Sequence, residues 1–146
     1  MFVKKSETIE KINDNKFKEQ ILSYLKNNKC CKDIFCNHPK HQSDSLLHKH
    51  FKVFEDSIKN ELNYNVSKLW VFYSKKNEIL LENWHKHNNK VSCLMYLTDT
   101  KLGTKFENFN IYLNKNCWLV WDEDVIHTPE KGSLNQDRIT IAGMLW

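Results

Sequence analysis

The chain has 146 residues, 40% apolar and 27% charged, with a net charge of +4 at neutral pH. That length suits one domain, 1–146, with enough bulky material for one core. The apolar runs are a few residues long, which excludes a membrane-spanning helix. Met1-Phe2-Val3-Lys4-Lys5 lacks the apolar stretch of a secretory leader, and five cysteines is an odd number for a disulfide framework. The expectation is a cytoplasmic chain. Its basic residues are scattered rather than blocked, so nucleic acid is not indicated as a partner.

Residues 6–28 read as helix, in one piece or two. Ile9, Ile12, Phe17, Ile21 and Leu25 recur at helical spacing, and Asn13-Asp14-Asn15 favours a break with a fresh cap. Residues 29–45 read as a polar loop. It carries Cys31, Cys36, His38 and His41, which invites a zinc reading, but four ligands in eleven residues lack the separated pairs of usual zinc modules. An exposed loop over the mouth of the fold is preferred.

Residues 45–63 present a helical stripe of Leu47, Phe51, Phe54, Ile58 and Leu62, with Ser43, Asp44 or Ser45 as cap. His48 and His50 lie two apart on it, on different faces, and read as surface or boundary histidines. The helical part and loop thus occupy 1–65.

From Val66 the pattern turns to β. Runs at 69–73, 78–84, 91–97, 106–113, 117–121 and 138–146 are rich in aromatic and branched residues. Helices first and strands last predict a mainly β barrel or sandwich over 66–146 with N-terminal helices packed on it.

The chemistry concentrates in Trp84-His85-Lys86-His87, His127 and Arg138. Alternate residues of a strand share a face, so His85 and His87 can hold one metal, with His127 as a third ligand from a distant strand. Imidazole suits iron, zinc, copper and nickel. Of 22 basic residues 21 are lysine, and Arg138 is the lone arginine. A single arginine among so many lysines suggests a position that wants a planar fork for a carboxylate or phosphate.

These residues also carry a resemblance. His85-Lys86-His87, the Ser92-to-Tyr96 strand, Gly103-Thr104-Lys105-Phe106, Trp118 through His127, and Arg138-Ile139-Thr140 look like the core of 2-oxoglutarate and Fe(II)-dependent dioxygenases. The short phage and bacterial members are the nearest in pattern. The resemblance covers about residues 66–146. It implies a double-stranded β-helix (jelly roll, cupin-like) and Fe(II) with 2-oxoglutarate and O₂ as co-substrates. The substrate that is hydroxylated stays unidentified. It implies His85 and His127 as iron ligands, Arg138 and Thr140 against the far carboxylate of 2-oxoglutarate, and the Tyr96 hydroxyl on the same co-substrate.

Position 87 departs from that pattern, where Asp is usual. Either His87 is the third ligand, or a carboxylate such as Glu82, Asp99, Glu107 or Asp122 serves, or catalysis is lost. The alternatives are a cupin-type three-histidine dioxygenase that does not use 2-oxoglutarate and a non-catalytic jelly-roll binding protein. Against the cupin stands Asn88-Asn89-Lys90-Val91-Ser92, which lacks the glutamate usual after a cupin's second histidine.

Overall fold

A computed structural model describes residues 1–30, 41–87, 90–122 and 125–146. Four helical segments precede most of the strands. They are α1 (Glu7–Ile12), α2 (Asn15–Asn27), α3 (Leu47–His50) and α4 (Lys52–Ser57), the last running into a π-helical turn, Ile58–Leu62. The break between α1 and α2 falls at Asn13–Asp14. There the Asp14 carboxylate accepts the Phe17 amide at 2.8 Å, one of the orphan donors of a helix start.

The stripe over 45–63 is not one helix. The chain runs beside a strand edge as far as Leu46, which bridges to Leu69, so helix begins only at Leu47. Ser43 and Asp44 do not cap α3 in the expected way, because Leu46 holds its N-cap position without a side-chain bond. The Ser43 hydroxyl instead accepts the Val71 amide at 3.0 Å, and Asp44 accepts the Leu46 amide at 3.1 Å. A second break at Phe51 separates α3 from α4. Asn63, in left-handed backbone geometry, ends the π-helical turn.

The strands are β1 (Phe2–Lys5), β2 (Val66–Ser74), β3 (Ile79–Leu80), β4 (Val91–Tyr96), β5 (Thr104–Phe106), β6 (Asn110–Ile111), β7 (Cys117–Trp121), β8 (His127–Pro129), β9 (Gly132–Ser133) and β10 (Arg138–Leu145). The sequence reading supplied no strand before residue 66, yet β1 pairs with β7 and forms one edge of the main sheet. The predicted strands 78–84 and 106–113 shrink to β3 and to the short pair β5 and β6.

The main sheet is antiparallel, in the order β1-β7-β4-β10-β2. Its two faces follow from strand alternation. Leu69, Val71, Cys93, Met95, Trp118, Val120, Ile139 and Ile141 pack against Ile9, Phe17, Ile21, Leu47, Phe54 and Ile58 of the helices. The residues between them point the other way, toward the sheet β6-β5-β8 and the pair β3-β9. Leu94, Tyr96, Leu119 and Trp121 meet Phe106 and Leu113 on that side.

In the main sheet, strands approach closely at Gly143. A Cβ there would lie 2.5 Å from the Leu69 Cδ1 and 2.5 Å from the Lys68 carbonyl, so only glycine lets β10 and β2 pair at this level. The architecture is a double-stranded β-helix with helices covering the outer face of its larger sheet. No helix among the described residues is long and apolar enough to cross a membrane.

Candidate metal centre

Three elements converge on the inner face. β8 begins at His127, which pairs with Phe106 of β5 on one side. On its other side it bridges His85, with amide-to-carbonyl bonds of 3.0 and 2.9 Å in the two directions. That reciprocal pair sets the two imidazoles side by side, with ring centroids 4.4 Å apart. Two residues further on, His87 brings its ring to 5.3 Å from His85 and 4.7 Å from His127. One ligand-bearing atom from each of the three lies within 4.8 Å of the others.

The rings are oriented as a metal site needs. His85 Nδ1 donates to the Asn83 carbonyl at 2.7 Å, and His127 Nδ1 donates to the Val125 carbonyl at 2.9 Å. A carbonyl can only accept, so each ring carries its proton on Nδ1 and presents a lone pair on Nε2. His87 Nδ1 lies 3.3 Å from the Ser92 hydroxyl. Trp70 stands edge-on to His87 at 5.2 Å, and Trp121 stands edge-on to His127 at 5.3 Å. His127 is buried, while His85 and His87 are half-buried.

The carboxylates weighed as a third ligand lie elsewhere. Glu82 bonds the Trp84 indole at 3.2 Å and the Lys105 ammonium at 3.3 Å. Asp99 faces Lys115 at 3.8 Å, and Glu107 and Asp122 are exposed. Among the described residues the only cluster of metal-ligand type is all histidine.

A cavity of about 480 Å³ opens beside the three rings, and Arg138, Thr140, Ala142 and Met144 of β10 line it at alternate positions. Arg138 is 3% exposed, and its Nε has no hydrogen-bond partner. Its guanidinium lies over the Tyr96 ring, 5.1 Å from the centroid. No carboxylate among the described residues pairs with it. Leaving a buried cation uncompensated is costly, so this one calls for an anion that the described residues do not supply.

Tyr96 sits differently from the expectation. Its hydroxyl is bonded to Thr104 Oγ1 at 2.6 Å, and it is Thr104, not Tyr96, that lines the cavity. Tyr96 therefore supports Arg138 from below with its ring. Thr104 has no signal in the sequence beyond its place in Gly103-Thr104-Lys105-Phe106; its β5 position, facing Tyr96, is what brings it to the cavity.

The other sequence candidates fall outside the site. His48 is buried and His50 packs 4.7 Å from the Tyr24 ring, so His48 is a core residue rather than a surface one. His41 pairs with Glu78 at 3.1 Å. Cys31, Cys36 and His38 lie outside the described residues.

The fold can be compared with solved structures. The chain is similar to the viral collagen prolyl hydroxylase of Paramecium bursaria Chlorella virus-1, at a TM-score of 0.63 and 11% identity, covering 99% of this chain and 89% of that one. The same hydroxylase in a 2OG complex matches at 0.48 and 12% identity, over 88% and 87% of the two chains. A cupin domain from Bordetella pertussis Tohama I matches at 0.43 and 12% identity, over 57% of this chain and 91% of that one. At such identities the likeness is one of fold. No protein-family model matches the chain, and no curated protein matches it. Fold and site together define a class: a cupin-fold, double-stranded β-helix protein carrying a three-histidine group of metal-ligand type.

Proposed function

We propose that the protein is an Fe(II)- and 2-oxoglutarate-dependent oxygenase, with His85, His87 and His127 as iron ligands and Arg138 as the anchor of the co-substrate. The observation that carries this reading is the placement of Arg138. A buried guanidinium with an unbonded Nε shares one cavity with three converging imidazoles. An acid that chelates a metal at one end and carries a second carboxylate at the other satisfies both needs at once.

The donor set fits a divalent transition metal. Three imidazoles leave coordination positions for a bidentate acid and for O₂, as an open site requires. When bound, iron and 2-oxoglutarate together supply reduction of O₂, with one oxygen atom entering succinate as CO₂ leaves and the other entering a substrate C–H bond as hydroxyl. The chain's own part is binding and orientation. The Asn83 and Val125 carbonyls hold two of the rings in the tautomer that ligates through Nε2. Arg138 holds the far carboxylate, and the hydroxyls of Thr140 and Thr104 face the same cavity. Trp70, Leu94, Trp121 and Ala142 give the cavity apolar wall, which strengthens those charge-assisted bonds.

A second reading is favoured by the all-histidine donor set: a three-histidine dioxygenase that binds its substrate directly to the metal and needs no 2-oxoglutarate. Anaerobic titration separates the two. Under the first reading, Fe(II) and 2-oxoglutarate together give a visible charge-transfer band that neither gives alone. Tight iron binding without that band favours the second reading.

A further inference from the structure

Among the described residues, the cavity's lining carries positive charge at both ends. Arg138 and Lys68 line it, and no described Asp or Glu does. In the usual two-histidine, one-carboxylate set, the ligand carboxylate cancels part of the metal's charge. Here the position of that carboxylate is His87, which is neutral when it ligates. A divalent metal and Arg138 together bring three positive charges, and 2-oxoglutarate brings two negative ones. No described carboxylate lines the cavity to balance the charge that remains, and an uncompensated ion in a partly enclosed space is costly.

The cavity also extends past the co-substrate's end. Strand register orders its floor: Arg138 lies opposite Ser74, Thr140 opposite Phe72, Ala142 opposite Trp70 and Met144 opposite Lys68. Arg138 and Lys68 therefore mark opposite ends, about 20 Å apart along β10 at the rise of an extended strand. Trp70 stands between them, with its ring against His87. The wall beyond Trp70 includes Lys68, Met144 and Ser45, while Gln42, bridged to Phe72, lies on the Arg138 side.

Resting on the proposed function, we infer that the primary substrate is an acid. Its apolar body packs on Trp70 beside His87, and its anionic group pairs with Lys68, supplying negative charge that the described lining lacks. The remaining volume admits a small molecule or a single residue of a larger one.

The test uses three probes of one shape and different charge: phenylacetate, phenylacetamide and phenethylamine. Each is titrated by calorimetry into the full chain loaded anaerobically with Fe(II) and 2-oxoglutarate. The acid is expected to bind roughly ten-fold more tightly than the amide, and the amine not at all, as one charge pair at a solvent-exposed lysine predicts. Lys68→Glu is expected to abolish the preference for the acid. Its charge-transfer band should be unchanged, which shows that the metal and co-substrate sites are intact. Equal binding of acid and amide, no binding of any probe at millimolar concentration, or an acid preference that survives Lys68→Glu overturns the inference. Failure of the oxygenase reading shows separately, as absence of the band in the unmodified protein.

Discussion

His85 and His127 face each other as a reciprocally bonded antiparallel pair, each amide donating to the other's carbonyl, and this pairing rather than a loop brings their rings to 4.4 Å. The two residues are 42 positions apart, so the centre forms only when the smaller sheet does. His87 stands outside that pair: its Nδ1 lies 3.3 Å from the Ser92 hydroxyl on β4 of the larger sheet, and its ring meets Trp70 edge-on. The centre is thus clamped between two layers of the fold.

That difference predicts how the ligands respond to changes around them. Ser92→Ala removes the hydroxyl beside His87 Nδ1 and leaves the His85–His127 pair intact. Metal affinity should fall about ten-fold, the lower range for loss of a partner that orients a ligand. Competition against a chromophoric chelator measures it. Thermal stability should change little, since one hydrogen-bonded hydroxyl contributes on the order of 1 kcal/mol.

Arg138→Met separates stability from binding. The substitution removes a buried cation and keeps most of its volume, at the loss of the contact with the Tyr96 ring. Apo stability should be unchanged or higher, because replacing buried charge with an apolar side chain is often neutral or favourable. Affinity for 2-oxoglutarate should fall roughly 100-fold, as when one partner of a buried charge pair is truncated. Thermal denaturation and anaerobic calorimetry on the same sample read both effects.

Glu61 ties the N-terminus to the π-helical turn. Its carboxylate accepts the Ser6 hydroxyl at 2.6 Å, the Ser57 hydroxyl at 2.5 Å and the Glu7 amide at 2.8 Å. The Trp118 indole donates to Ser57 at 3.0 Å, linking the network to β7. Burial works to raise the Glu61 pKa, but the bonds from Ser57, Ser6 and the helix amides outweigh it and bring it below its usual 4.5. Its contribution is therefore complete above pH 4.5 and is lost as pH falls through the lower folded value. Glu61→Gln should cost roughly 1–3 kcal/mol at neutral pH and flatten that acid limb. Urea denaturation across acidic pH checks both.

His48 gives the opposite type of group in a neighbouring window. Its Nδ1 is buried without a partner, and burial, helped by Lys49 and opposed by Glu55, pushes its pKa below 6.5. The unfolded chain binds the proton first as pH falls, so stability is full above pH 6.5 and declines toward the lower folded value. His48→Leu should remove that slope, and denaturation midpoints between pH 5 and 7 detect it.

Much of the layer order was legible because it is written locally. β7 runs from Cys117 to Trp121 as its composition suggested, and the Asn13–Asn15 break sits where a cap residue offers a bond. β1 was not legible: its four residues are all exposed, show no alternation, and become a strand only through partners 112 to 118 positions away. The stripe of Leu47, Phe51, Phe54, Ile58 and Leu62 showed which residues face the core but not the break at Phe51, since side-chain periodicity survives a local change of backbone. At the candidate site, His85 and His87 converge although only His85 makes a strand-like bridge, and alternation along β10 puts Thr140 in phase with Arg138. The Tyr96–Thr104 bond was hidden, because it depends on how a strand of the larger sheet faces one of the smaller.

The central claim is that three histidines hold a metal whose acidic co-substrate is anchored by Arg138. A crystal structure of the protein loaded anaerobically with Fe(II) and 2-oxoglutarate tests it most directly. The predicted result is an anomalous iron peak bonded to His85, His87 and His127, with one carboxylate of 2-oxoglutarate on the iron and the other paired with Arg138. Iron bound by a protein carboxylate in place of His87, or Arg138 paired with an acidic residue of the chain itself, would contradict it.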